Sequence, residues 1–260
     1  MTQAAFTERD FTLSTGVLRV RSGGEGRPIV HLHSAAGPRI SPVIEKLAQS
    51  HRVYALFMPG FEGMPEHKGV DSVPKLAGLV AEFIAAECGG QCDFMGESFG
   101  GWIALWLAVL HPQAVGQLVL EAPAGLRPPE LGGLPQDPAE RFRKLHAHPQ
   151  RAPKETRSEA VLAANRKTAG AYLEALPFDD ALAARLGEIS ARTLIMIGTK
   201  DGIIPAESAR LVKAKVPQSH VTYIWDAAHA LEFDQPDRVA ALALDFLDRG
   251  ESFLVKQGAA

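Results

Sequence analysis

Ser98, Asp201 and His229 are the side chains whose types and positions suit covalent chemistry carried out together. A serine hydroxyl is a weak nucleophile near neutral pH until a base takes its proton, and that base is usually an imidazole oriented by a carboxylate. Ser98 lies in Gly96-Glu97-Ser98-Phe99-Gly100, after the apolar run Cys92-Asp93-Phe94-Met95. A helical run, Gly101-Trp102-Ile103-Ala104-Leu105-Trp106-Leu107-Ala108-Val109-Leu110, follows and is closed by His111-Pro112. G-x-S-x-G between a strand and a helix is a nucleophile elbow, a turn so tight that small residues must flank the serine. The turn lifts the hydroxyl above the sheet edge and aims the N-terminus of the next helix at it. Unpaired N–H groups and a partial positive charge there suit a developing oxyanion.

Nine histidines could act as the base, and position selects among them. His229 follows the strand that ends in Trp225-Asp226-Ala227-Ala228 and precedes the last helix. A loop at the carboxyl edge of a sheet is where residues from several strands meet a ligand. His51, His111, His146 and His148 fit helix ends or loops. Asp201 sits in Gly198-Thr199-Lys200-Asp201-Gly202-Ile203-Ile204-Pro205, after a buried strand and before a helix that it could equally cap. Glu121, ending the strand after the elbow helix, and Asp226, three residues before His229, compete for the acid's role. Such a set supports hydrolysis through an acyl-enzyme, with no metal and no cofactor required.

The elements that must position these groups are legible as patterns. Phe11–Ser14 and Val17–Arg21 flank Thr15-Gly16 and alternate in character, which predicts an antiparallel opening pair. Strands and helices then alternate: strand 28–33, helix 39–49, strand 53–57, helix 72–87, the elbow, and strand 117–121. The rhythm stops between Gly125 and Gly187, where short helical patterns stand at 138–147, 158–175 and 179–186. It resumes with strand 192–198, helix 205–215, strand 220–225 and an amphipathic helix from Pro236 to about Arg249. Apolar strands without alternation predict a parallel sheet covered by helices on both faces. Glu251 to Ala260 read as a loosely held tail.

Composition narrows the partners. With 46% hydrophobic residues, 22% charged and a net charge of −3, the 260-residue chain has the balance of one soluble α/β domain. Nothing in that charge points to nucleic acid or an anionic membrane, and no apolar run is long enough to span a bilayer. Cys88 and Cys92 have no Cys or His pair nearby to complete a metal site; free thiols and a cytoplasmic location are expected. No basic stretch followed by an apolar one opens the sequence, which argues against a secretory signal.

Together these segments resemble the α/β-hydrolase fold superfamily along nearly the whole chain. His33-Ser34-Ala35-Ala36-Gly37 is similar to its oxyanion loop, Pro59-Gly60-Phe61 to its P-G turn, and His229 with Phe233-Asp234-Gln235-Pro236 to its closing signature. The resemblance implies a three-layer fold with an eight-stranded, mostly parallel sheet. The core would be 1–124 and 188–260, with 125–187 as a helical cap. It also implies an oxyanion hole formed by the N–H groups of Ala35 and Phe99. Ser34, Glu62 and Ala228 stand where the family commonly has glycine, and Phe57 where it has aspartate.

A serine at the elbow sets the chain apart from relatives that use aspartate to open epoxides or displace halide. Cleavage of a small, fairly apolar carboxylic ester is the leading expectation, with Ser34, Phe142, Leu145, Tyr172 and Phe178 as candidate pocket walls. A carbon–carbon bond hydrolase resembling those that act on ring-fission products is the alternative. Its anionic substrates would suit the nine Lys/Arg against five Asp/Glu between Arg127 and Lys167. A ligand receptor that keeps the triad is a third reading. The expected partner is a small-molecule substrate, and a monomer and a homodimer are equally open.

Overall fold

The computed structural model describes residues 5–131, 135, 137–173 and 178–250. Its strands are β1 (Thr7–Leu13), β2 (Gly16–Gly23), β3 (Arg27–Leu32), β4 (His51–Phe57), β5 (Cys92–Glu97), β6 (Val115–Glu121), β7 (Arg192–Gly198) and β8 (Ser219–Ile224). The helices are α1 (Pro42–Leu47), α2 (Val73–Glu87), α3 (Phe99–Leu110), α4 (Pro138–Leu145), α5 (Glu159–Leu173), α6 (Asp180–Arg185), α7 (Ala206–Lys215), α8 (Leu231–Asp234) and α9 (Pro236–Arg249). They form one 8-stranded sheet in the order β1-β2-β4-β3-β5-β6-β7-β8. Only β1–β2 and β2–β4 pair antiparallel; every other neighbouring pair is parallel.

Burial explains why the inner strands carry continuous apolar runs. Ile29, Val30 and Leu32 of β3 are inaccessible to solvent, as are Leu118, Val119 and Leu120 of β6 and Leu194, Ile195 and Met196 of β7. Successive residues on a strand point to opposite faces, so both faces must be covered. Helices do this in separate groups, with α2 packed on α3 and α1 on α9. Eleven consecutive residues of α3, Phe99 to Val109, are buried, which makes it the central helix of the core.

Several boundaries differ from those the pattern predicts. The helix expected over 39–49 is confined to Pro42–Leu47, because the Ser41 hydroxyl accepts the Ile44 N–H at 3.1 Å and Pro42 occupies the first turn. Helix α8 is four residues long, too short to leave a periodic signal. The tail expected at Glu251–Ala260 lies outside the described residues.

The stretch between β6 and β7 carries α4, α5 and α6 and lies against loops that follow the strands. Thr168 donates to the Gly60 carbonyl and the Tyr172 hydroxyl to that of Val70, both at 3.1 Å. Ala230 N–H donates to the Leu145 carbonyl at 2.8 Å. The chain returns to the core through Asp179, whose carboxylate caps α6 at Leu182 and accepts the indole N–H groups of Trp102 and Trp106 at 2.9 and 2.7 Å.

Candidate active site

Ser98 joins β5 to α3 with φ 51° and ψ −106°, a conformation that costs a non-glycine residue about 1–3 kcal/mol. Its backbone is held from three sides: the Ser98 N–H donates to the Glu121 carbonyl at 2.8 Å, and its carbonyl accepts from Trp102 and Ala124 at 3.1 and 2.9 Å. Crowding explains the flanking glycines. A Cβ on Gly100 would stand 2.1 Å from the Leu32 carbonyl oxygen, and one on Gly96 2.7 Å from that of Gly100. The elbow thus needs β3, β5 and α3 in near contact, and the positive end of α3 falls beside the serine.

His229 lies after β8 and Asp201 after β7, at the carboxyl edge where β5 delivers Ser98. The His229 Nδ1 and the Asp201 Oδ2 are 2.9 Å apart, both side chains almost wholly buried. The other Asp201 oxygen accepts the N–H groups of Ile203 and Ile204, each at 2.8 Å, so one carboxylate both shapes its loop and orients the ring. Burial disfavours an imidazolium, but the Asp201 charge and hydrogen bond, with Glu97 adding, outweigh it and raise the His229 pKa above its ordinary value. Asp234 anchors the loop by accepting from the N–H groups of Ala228, Ala147 and His148 at 2.8, 2.9 and 3.0 Å. Among the described residues the Ser98 hydroxyl makes no hydrogen bond to the ring. Such contacts are often long in free enzymes and tighten on binding.

The rival carboxylates lie elsewhere. Asp226 pairs with Lys200 at 2.5 Å and His148 at 3.0 Å. Glu121 is fully buried against Glu232 and Glu97.

Ala35 sits in a turn closed by the Gly37 N–H donating to the Ser34 carbonyl at 3.0 Å. His33 fastens that turn: one ring nitrogen donates to the Ser34 carbonyl at 2.7 Å while the other accepts the Met58 N–H at 3.2 Å. This arrangement requires neutral imidazole, in keeping with burial that pushes its pKa down to about 4. The departures from family glycines now have physical readings. Ser34 and Ala228 do not adopt positive φ, so a side chain fits there, whereas Glu62 does, at φ 52°. Its strain is offset by Asn165, which accepts the Glu62 N–H at 2.9 Å and donates to its carboxylate at 2.7 Å. Arg157 donates to the same carboxylate and to the Ala36 carbonyl at 2.9 and 2.7 Å, tying the lead into α5 to the turn that holds Ala35.

The candidate pocket residues are placed unevenly. Tyr172 packs against Phe99 with ring centroids 5.5 Å apart, and Ser34 faces Glu97. Leu145 and Phe178 are partly buried against the core. Phe142 is 44% exposed and lies on the His146 ring.

Sequence reasoning missed an acidic cluster at the ends of β5 and β6, in which Glu121 and Glu232 are buried and Glu97 is half-buried. The His31 Nε2 lies 2.9 Å from Glu232, and Glu121 and Glu97 stand beside that pair. Burial and the Glu232 charge push Glu97 up to about 7, against the weaker pull of His229 and His31. The available signal was Glu97, Glu121 and Glu232 in otherwise apolar surroundings at strand and helix ends.

A mostly parallel sheet of this order, with a serine on a tight turn after β5 and a histidine after β8, defines the α/β-hydrolase architecture. Residues 29–242 match the alpha/beta hydrolase family, and the chain belongs to it. It is 23% identical to the 2-hydroxy-6-oxo-6-phenylhexa-2,4-dienoate hydrolase of Comamonas testosteroni, over 94% of this chain and 95% of that one. It is 27% identical to the pimeloyl-(acyl-carrier protein) methyl ester esterase of Serratia marcescens, over 86% and 95% of the two chains. Among solved structures, the 2-hydroxy-6-oxo-6-phenylhexa-2,4-dienoate hydrolase of Rhodococcus sp. strain RHA1 superposes with a TM-score of 0.74 at 19% identity, covering 94% of this chain and 99% of that one. Naproxen esterase of Bacillus subtilis gives 0.73 at 16% identity, covering 94% and 92%. No helix among the described residues is long and apolar enough to cross a membrane.

Proposed function

We propose that this chain is a serine hydrolase that cleaves a small, fairly apolar carboxylic ester through an acyl-enzyme, with 125–187 serving as a cap over the site. The observation that carries this reading is the buried His229–Asp201 pair at 2.9 Å, on the sheet edge to which the elbow lifts Ser98. His229 takes the Ser98 proton as the hydroxyl attacks the acyl carbon. The N–H groups of Phe99 and Ala35 hold the oxyanion, and the imidazolium then protonates the departing alcohol. Water, deprotonated by the same ring, attacks the acyl-enzyme and frees Ser98. The free thiols Cys88 and Cys92 suit a reducing cytoplasm.

Carbon–carbon bond cleavage is the second reading, favoured by relatives such as the Comamonas enzyme. The ester reading is preferred because several of the cap-region cations already have protein partners. Arg157 is held by Glu155 and Glu62, Lys144 by Glu140, and Arg151 by the Asp234 carbonyl. A fluorophosphonate probe should label the protein at Ser98, and small p-nitrophenyl esters should both turn over and compete with it. The S98A variant should fold, yet neither label nor turn over. Absence of labelling and of ester turnover in the native protein would defeat this reading. Faster turnover of a vinylogous 1,5-diketone acid than of any ester would favour the second.

A further inference from the structure

Glu121 is fully buried, and among the described residues neither of its carboxyl oxygens accepts a hydrogen bond from any N–H or hydroxyl group. What its side chain does meet is the carboxyl group of Glu232. Two carboxyl groups can hydrogen-bond only if one of them keeps its proton. The surroundings decide which. Glu232 also faces the His31 ring, 2.9 Å away, and the Ser41 hydroxyl, so it is the anion of the pair. Among the described residues Glu121 pairs with no cation, and Glu97 on β5 is its other acidic neighbour. The groups facing it are therefore Glu232 from α8 and Glu97 from β5, with His31 of β3 and Ser41 before α1 behind Glu232.

We propose that Glu121 is a positioning residue of the elbow, kept as a neutral carboxylic acid whose O–H donates to Glu232 and so fixes the end of β6. That strand end matters because the Glu121 carbonyl receives the Ser98 N–H at 2.8 Å, and the next residue, Ala122, is strained at φ 42°. The same hydrogen-bonded group reaches α1, since Ser41 both faces Glu232 and caps that helix. Among the described residues, no three His, Cys, Asp or Glu side chains are arranged to hold a metal ion. Burial, Glu232 and Glu97 all raise the Glu121 pKa, in the direction this protonation requires. The effect on reactivity rests on Ser98 being the nucleophile; the proton on Glu121 does not.

Three measurements separate those claims. Infrared spectra of the native protein near neutral pH should contain the C=O stretch of protonated carboxylic acids, and the E121Q variant should lose the Glu121 component of that band while Glu97, pushed up to about 7, keeps its own. An unchanged band in E121Q overturns the assignment. A group whose pKa is raised by folding contributes stability at low pH that is lost as pH climbs through the folded value. The unfolding temperature of the native protein should therefore fall relative to that of E121Q, whose amide stays neutral, as pH climbs above the ordinary carboxyl range. Parallel curves overturn the proposal. Finally, E121A should slow fluorophosphonate labelling of Ser98 by on the order of ten- to a hundredfold, the scale of a misplaced reacting group, and E121Q should restore most of that rate. Equal labelling in all three proteins removes the positioning role. If native Ser98 does not react at all, the serine-hydrolase reading fails, while the infrared and unfolding results still report on the proton.

Discussion

Ser98 is strained and His229 is buried, and both conditions are tolerable because neighbouring groups oppose them. The Asp201 carboxylate offsets the loss of hydration around the His229 ring and fixes Nδ1 as the nitrogen that bears the proton. Replacing Asp201 with asparagine keeps the size but loses the charge and can stabilise the wrong tautomer. In the well-studied protease triad the equivalent change lowers kcat by about 10⁴, and a loss of that order in ester turnover is expected for D201N. Near-native activity would transfer the acid's role to another carboxylate. The base works only when neutral, and its pKa is raised. Activity should therefore decline as pH falls through a midpoint above about 6.5, the ordinary imidazole value. A kcat/KM profile with its acid limb below that value would contradict the proposed base.

Elements matter here chiefly through how closely they approach. The contact of α3 with β3 at Gly100 leaves no room for a methyl group, because the nearest atoms belong to the Leu32 backbone rather than to a movable side chain. G100A should therefore cost about 3 kcal/mol or more, the upper range for overpacking, and should disturb the elbow it adjoins. Urea unfolding measures the first effect and fluorophosphonate labelling the second; a stable, fully reactive G100A protein would refute the crowding. Both flanking glycines were legible in advance, since a tight strand–turn–helix announces itself locally. The shortening of α1 turned on the Ser41 cap, a contact of three residues' reach that a hydrophobic pattern does not register.

Across the whole molecule, burial is distributed unequally. Nearly all of α3 is enclosed, while α4 has no buried residue and the buried positions of α5 are Asn165, Thr168 and Ala169. Regions with few buried apolar contacts open at lower free energy than the core. Native-state hydrogen exchange should show α3 and the central strands exchanging only with global unfolding, and α4 exchanging through a cheaper local opening. Uniform protection across α3, α4 and α5 would contradict this. Such an opening would give substrate a way in beneath the proposed cap without disturbing the sheet.

By itself the amino-acid order determined the alternation of strands and helices and singled out Ser98, because glycine crowding and apolar periodicity are written over short stretches of chain. It pointed by position to His229 as the proposed base, and left Asp201, Glu121 and Asp226 as candidate acids beside it. Only the tertiary structure separated them: Asp201 meets the ring, Asp226 turns to Lys200 and His148, and Glu121 is enclosed with Glu232. The acidic cluster was out of reach for the same reason. His31 and Glu232 lie 201 residues apart in sequence, and their contact exists only because the fold packs α8 against the β3 residue His31. Partnerships between distant charged groups depend on distance and burial in space, and neither is encoded locally.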